Sequence, residues 1–213
     1  WQHPEMGLVL PGRFIHLADE SGLTQPIGEW VLFNACEQMR LWREQGFDLP
    51  RIAINLSGQQ LQKKGIVEQV QRVLRKTGLD PSHLELEITE SFIMRQADEA
   101  VDMLKRLKKT GVKLAIDDFG TGYSSLSYLK RLPVHKLKID QSFVQGIPQD
   151  SNDAAITRAI IALGRSMQLT VIAEGVETEQ QRDFLHAEGC DEGQGYLYGR
   201  PVSGADFFSA WRR

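Results

Sequence analysis

The sequence predicts an α/β domain built on parallel strands. Two observations carry that prediction. Short runs rich in Ile, Val and Leu alternate with longer amphipathic stretches of helical period, and one apolar run after another closes on a polar side chain that packing alone would not place there. A chain of 213 residues is long enough to bury one substantial core, so a single domain over residues 1–213 is expected.

Strands are expected, in order, at RIAINLS (51–57), HLELEITE (83–90), KLAIDD (113–118), HKLKID (135–140), LTVIAEG (169–175) and, most weakly, CDEGQGY (190–196). Helices fall between them. IVEQVQRVLRKTG sets Ile66, Val70, Val73 and Leu74 on one face and stops at Gly78; ADEAVDMLKRLKKTG does the same with Val101, Leu104 and Leu107 and stops at Gly111. A glycine just past a basic last turn is a helix C-terminal signal, because Gly accepts φ > 0 and cations favour the negative end of the helix. NDAAITRAIIALGRSM (152–167) and EQQRDFLHAEG (179–189) supply two further helices.

Charge and cysteine content narrow the function classes. Lys and Arg total 25 against 28 Asp and Glu, a formal charge of −3, which argues against a duplex nucleic-acid partner. Cys36 and Cys190 stand in no CxxC or Cys/His spacing, so buried thiols are expected rather than a disulfide or a zinc knuckle. No apolar run reaches the ~20 residues that cross a bilayer, and WQHPEMG has neither the basic nor the apolar region of a signal peptide. A reducing, cytoplasmic setting is expected for the domain.

The polar strand ends carry the chemistry. They are Asn55, Glu87, the adjacent pair Asp117 and Asp118, Lys138, Glu174 and Gln194. In parallel α/β folds the C-terminal ends of the strands open on one face, which carries the site. A single acid there is ordinarily a helix cap; six successive polar ends converge on one space. Carboxylates and amides, without imidazole or thiolate, suit hard cations such as Mg²⁺ or Mn²⁺. His3, His16, His83, His135 and His186 form no HxxH or HExxH pattern and are expected at the surface or satisfied by hydrogen bonds. Two adjacent carboxylates repel, so a cation beside Asp117 and Asp118 is required. If the chain turns at the strand end, both reach one site, and one of them can bridge two ions about 3.5–4 Å apart, the arrangement used for in-line displacement at phosphorus. Lys138 would then stand near anionic oxygens, and Glu174 could ligate an ion or accept a proton from water. The turn FGTGYSS (119–125) lacks the P-loop pattern and reads as a mobile loop beside the site.

The series NLS, ELEITES, DDFGTGYSSLSYL, LKID, AEGVE and QGYLYGRP resembles the EAL-domain family, phosphodiesterases that cut cyclic di-GMP to linear pGpG in bacterial signalling, including the control of biofilms. The resemblance runs from WQHPEMGLVLP to the end of the chain. It implies a modified TIM (β/α)8 barrel whose first strand is antiparallel, and two Mg²⁺ or Mn²⁺ ions. Asn55, Glu87 and Asp117 would hold one ion, and Asp117 would bridge to a second held by Asp118 and Glu174. Lys138 would position the water, Glu174 would be the base, and Gln194 would lie near the water or substrate. Glu90 would anchor the DFGTG loop with Glu177 as a second support, and a homodimer is implied.

The Glu-Ala-Leu motif and the Arg that follows it are expected just before Trp1, together with the barrel's first strands. Sensor or cyclase-like domains are expected further upstream, with room for a membrane anchor on the parent protein. A silent cyclic di-GMP receptor is the alternative reading. Such members lose several metal ligands, whereas Asn55, Glu87, Asp117, Asp118, Lys138 and Glu174 all retain their types here, which favours the enzyme.

Overall fold

A computed structural model describes residues 1–62, 65–95, 97–122 and 126–211. Tyr123, Ser124 and Ser125 of the FGTGYSS turn lie outside the described residues. The chain opens with an antiparallel pair, β1 (Gln2–His3) and β2 (Gly7–Leu8), followed by helices α1 (Ile15–Ser21) and α2 (Thr24–Glu44). These four elements have no counterpart in the sequence reading. The long α2 buries Leu32, Cys36 and Met39, but Trp30, Phe33 and Leu41 stay exposed, which blurs the apolar stripe. Its start also carries no side-chain cap, and Pro26 and Gly28 sit in its first turns.

The body alternates as expected. The elements are β3 (Ile52–Asn55), α3 (Gly58–Gln62), α4 (Ile66–Thr77), β4 (Leu84–Thr89), α5 (Glu90–Arg95), α6 (Ala97–Lys108), β5 (Lys113–Phe119), α7 (Leu126–Leu129), β6 (Lys136–Ile139), α8 (Gln141–Val144), α9 (Ser151–Ser166), β7 (Thr170–Ala173), α10 (Glu179–Ala187), β8 (Glu192–Gly193) and α11 (Gly204–Trp211). All six expected strands form, and they pair in sequence order as one parallel sheet, β3-β4-β5-β6-β7-β8. This is the curled, open portion of a barrel; the antiparallel strand implied by the resemblance is not among the described residues of the sheet.

Local chemistry sets the helix ends. α4 stops at Gly78, whose φ of +70° lets its N–H reach back to the Leu74 carbonyl. Asp150 caps α9 by accepting from Asn152 and Asp153, and α10 starts on a capping box between Thr178 and Gln181.

The strands show why parallel order and alternating sequence coexist here. A parallel sheet covered on both sides usually reads as continuous apolar runs. In β4, Leu84, Leu86 and Ile88 are buried on one face, while Glu85 and Glu87 alternate with them on the other and are buried too. β6 repeats the pattern, with Leu137 and Ile139 against Lys136 and Lys138. One face of the sheet therefore packs with Val70, Val101, Leu104, Leu107 and Ile161 of the helices, and the opposite face presents buried charge. Filling the helical side stabilises by about 1.5–3 kcal/mol per large side chain.

Candidate active site

The adjacent acids settle first. Neighbouring residues of a straight strand face opposite ways, but the ladder between β5 and β6 shifts register between Ile116 and Phe119. Within that irregularity Asp118 adopts φ +54°, in the left-handed region that non-glycine residues seldom enter. The carbonyl of Asp118 takes the N–H and hydroxyl of Thr121, which fixes the turn. As a result both carboxylates face one way, and oxygens of Asp117, Asp118 and Glu174 lie within 4.8 Å of one another.

Lys138 stands at the centre. Its Nζ lies 2.6 Å from Glu87, 2.8 Å from Asp117 and 2.7 Å from Glu174, and the residue is 2% exposed. Three donors meet three carboxylates, the full capacity of an ammonium. Burial works against its charge, but Glu87, Glu174 and Asp117 outweigh that and hold the ammonium above its ordinary pKa. The sequence reading left the offset of the carboxylate charge to metal alone; the structure adds Lys138 as the cation already built in.

One ammonium does not balance the cluster. Burial, then neighbouring carboxylates, push the carboxyl of Asp118 upward, and burial pushes Glu87 and Glu174 upward despite Lys138. Four carboxylates around one lysine leave an excess of negative charge in a desolvated space, furnished only with hard oxygen donors. That donor set fits a hard divalent cation.

The remaining expected residues lie outside the contacts of this cluster. Asn55 ends β3 directly across from Glu87 in the ladder. Gln194 follows β8, with its N–H on the Ala173 carbonyl at 2.8 Å and its own carbonyl accepting from Val176. Glu90 is fully buried and accepts the N–H of Gly120 at 2.9 Å. Gly120 has φ +99°, and a Cβ there would come within 3.0 Å of Phe143, so this bond requires glycine. Glu177 differs: it is exposed, and its backbone N–H donates to Gln181.

A family comparison decides the kinship: the model of the EAL domain matches residues 1–201. The chain belongs to the EAL domain family. It is 53% identical over 202 residues to the bifunctional diguanylate cyclase/cyclic di-GMP phosphodiesterase MucR of Pseudomonas aeruginosa, covering 95% of this chain and 30% of that protein. It is 44% identical over 215 residues to the cyclic di-GMP phosphodiesterase NbdA of the same organism, covering 100% of this chain and 28% of NbdA. The chain thus spans under a third of the length of these two curated relatives. The solved PaMucR phosphodiesterase in complex with c-di-GMP superposes with a TM-score of 0.95 at 52% identity, over 97% of this chain and 84% of that one.

This EAL domain also carries a second ionic group that the sequence reading missed. One pleat below Lys138, the Nζ of Lys136 lies 3.0 Å from Glu85 and 2.7 Å from Glu192, and Arg51 approaches Glu85 at 3.4 Å. The signal was present in the alternation of KLK and LELE, which places Lys136 beside Lys138 and Glu85 beside Glu87. Charge alternation suggests a wet edge strand, yet β6 lies inside the sheet between β5 and β7. Among the described residues no helix is long and apolar enough to cross a membrane.

Proposed function

We propose that this EAL domain is a metal-dependent phosphodiesterase that hydrolyses cyclic di-GMP to linear pGpG. The observation that supports it most directly is the convergence of Glu87, Asp117 and Glu174 on Lys138 at the C-terminal strand ends, with Asp118 beside Asp117 and Glu174. The fold around them matches a phosphodiesterase solved with c-di-GMP. Asn55, Glu87 and Asp117 would hold one divalent ion, and Asp117, Asp118 and Glu174 a second. Bound there, Mg²⁺ or Mn²⁺ would supply Lewis acidity toward the phosphoryl oxygens and the attacking water.

The chain's own residues do the rest. Glu174, with its pKa raised by burial, accepts a proton from water as that oxygen attacks phosphorus in line with the 3′ oxygen. The bond from phosphorus to the 3′ oxygen breaks, the leaving oxygen takes up a proton, and a 5′-phosphorylated linear dinucleotide results. Lys138 holds Glu87, Asp117 and Glu174 in one geometry, and Gln194 hydrogen-bonds the water or a phosphoryl oxygen. Glu90 steadies the turn that follows Asp118 through Gly120. Glu177 is kept as a second support for that loop.

The proposal extends to the whole protein: residues 1–213 as one catalytic domain, a homodimer, and a fused upstream sensor or cyclase-like domain of the kind that the name of MucR records. Chromatography of the intact protein with cyclic di-GMP tests the activity. Linear pGpG should form with Mg²⁺ and not with EDTA. Tight binding without product would instead make the domain a receptor, and neither binding nor product would remove cyclic di-GMP from the reading.

A further inference from the structure

The lower ionic group bears on the site above it. β8 is two residues long; it pairs with β7 through Ile172 with Glu192 and Ala173 with Gly193, and the N–H groups of Asp191 and Gln194 extend that pairing to the carbonyls of Val171 and Ala173. It is the last strand of the sheet, with no strand beyond it among the described residues. These backbone bonds fix β8 along β7, but as an outer strand it has a ladder on one side alone among the described residues. What ties it across the concave face is Glu192, whose carboxylate lies 2.7 Å from the Nζ of Lys136 on β6, two strands away. Lys136 is held in turn by Glu85 on β4 at 3.0 Å, a pair with side-chain exposures of 8% and 4%, while the Glu192 side chain at the outer end is 38% exposed.

Such a buried pair is a costly way to fill space, since apolar side chains of the same volume are often more stabilising. Its return is direction. Side chains two residues apart on an extended strand share a face. Gln194 follows Glu192 by two, and its N–H carries the β7 ladder one residue further. Lys136 likewise precedes Lys138 by two on β6. The lower bridge therefore links, across β7, the strand that Gln194 follows to the strand that carries Lys138.

We propose that Lys136 is a positioning residue: through Glu192 it holds β8 so that Gln194 faces the substrate space. The proposal rests on the cyclic di-GMP reading for its ligand. The intact protein is assayed by turnover with Mg²⁺ and by calorimetric binding of cyclic di-GMP in EDTA. Lys136→Met should raise KM and Kd about fivefold to tenfold while kcat changes less than about twofold, and Lys136→Arg should restore both constants to within about twofold. Glu192→Gln, which leaves the bond between Lys136 and Glu85 in place, should reproduce the effect, and it serves if Lys136→Met folds poorly. In a Gln194→Ala background either change should add less than about twofold, because coupled residues are not additive. Unchanged Kd and KM in folded Glu192→Gln would overturn the proposal, as would a full effect that persists without Gln194. A wild type that neither binds nor cleaves cyclic di-GMP would overturn the functional reading and this proposal with it.

Discussion

The two ionic layers on the concave face use the same strands and the same residue types, yet they differ in balance. Around Lys136, two carboxylates meet a lysine and an arginine. Around Lys138, three carboxylates share one ammonium, and a fourth, that of Asp118, lies beside Asp117 and Glu174. The lower layer satisfies itself. The upper layer does not, and its excess charge is what a divalent cation would neutralise. Buried charge alone therefore does not mark a site in this fold; buried charge left unbalanced does.

The largest effect expected from breaking that contrast is at Lys138. Lys138→Met strands the carboxylates of Glu87, Asp117 and Glu174, and should cost turnover about 100-fold or more. It should also destabilise the metal-free protein by about 3–5 kcal/mol, read by urea unfolding in EDTA. An unchanged rate would remove Lys138 from the mechanism.

Asp118→Asn separates activity from stability. Because burial and neighbouring carboxylates disfavour the Asp118 anion, the amide should leave the unfolding midpoint in EDTA unchanged or higher, while Mg²⁺-supported hydrolysis falls about 100-fold. Full activity with Mg²⁺ would exclude Asp118 as a ligand.

Linkage sharpens the same comparison. At a Mg²⁺ concentration 100 times its Kd, each occupied site should add about 2.7 kcal/mol of stability, a gain that Glu85→Gln in the lower layer should retain and of which Asp118→Asn should lose the share of the ion it would hold. The pH dependence has a definite sign. Glu87, Asp118 and Glu174 have folded pKa values raised above their ordinary ones, so their contribution is fully present below the ordinary carboxylate range and is lost as pH rises through the raised values. Thermal melts in EDTA should show that decline, and saturating Mg²⁺ should flatten it.

The smallest effect lies outside both layers. His135 accepts the N–H of Leu114 through Nδ1 and must be neutral there to do so. Burial, then the charges of Lys108, Lys113 and Arg51, lower its pKa from 6.5 to about 4. Its contribution is present above pH 6.5 and is lost as pH falls toward 4, by about 1 kcal/mol after allowance for solvent screening. His135→Gln should remove that slope from melts between those limits.

Much of this was legible in the residues, and the gaps have physical causes. The six strands and the helices α4, α6, α9 and α10 follow from period, caps and terminal glycines, which are local signals. Glu87, Asp117, Asp118, Lys138 and Glu174, which the structure brings together, were legible as a set because one end of each of their strands broke its apolar run; Asn55 and Gln194 share that strand-end position without a side-chain contact to the cluster. The turn at Asp118 could be anticipated only as a requirement, since a positive φ on aspartate leaves no mark in composition. The three-way contact of Lys138 was hidden because it joins β4, β5 and β7 across the sheet, and no spacing along the chain records that. α2 was missed because exposed Trp30, Phe33 and Leu41 mask the stripe of Leu32, Cys36 and Met39.

The sequential order of the sheet has a consequence for how the protein is made. Every strand from β4 to β8 pairs with the one synthesised just before it, so each meets a neighbour that has already left the ribosome. The charges of the site appear in that order as well. Glu87, Asp117 and Asp118 emerge before Lys138, and Glu174 comes after it. A nascent chain thus exposes the acidic half of its centre with no lysine to meet it, until β6 arrives and draws the strands on either side around one ammonium.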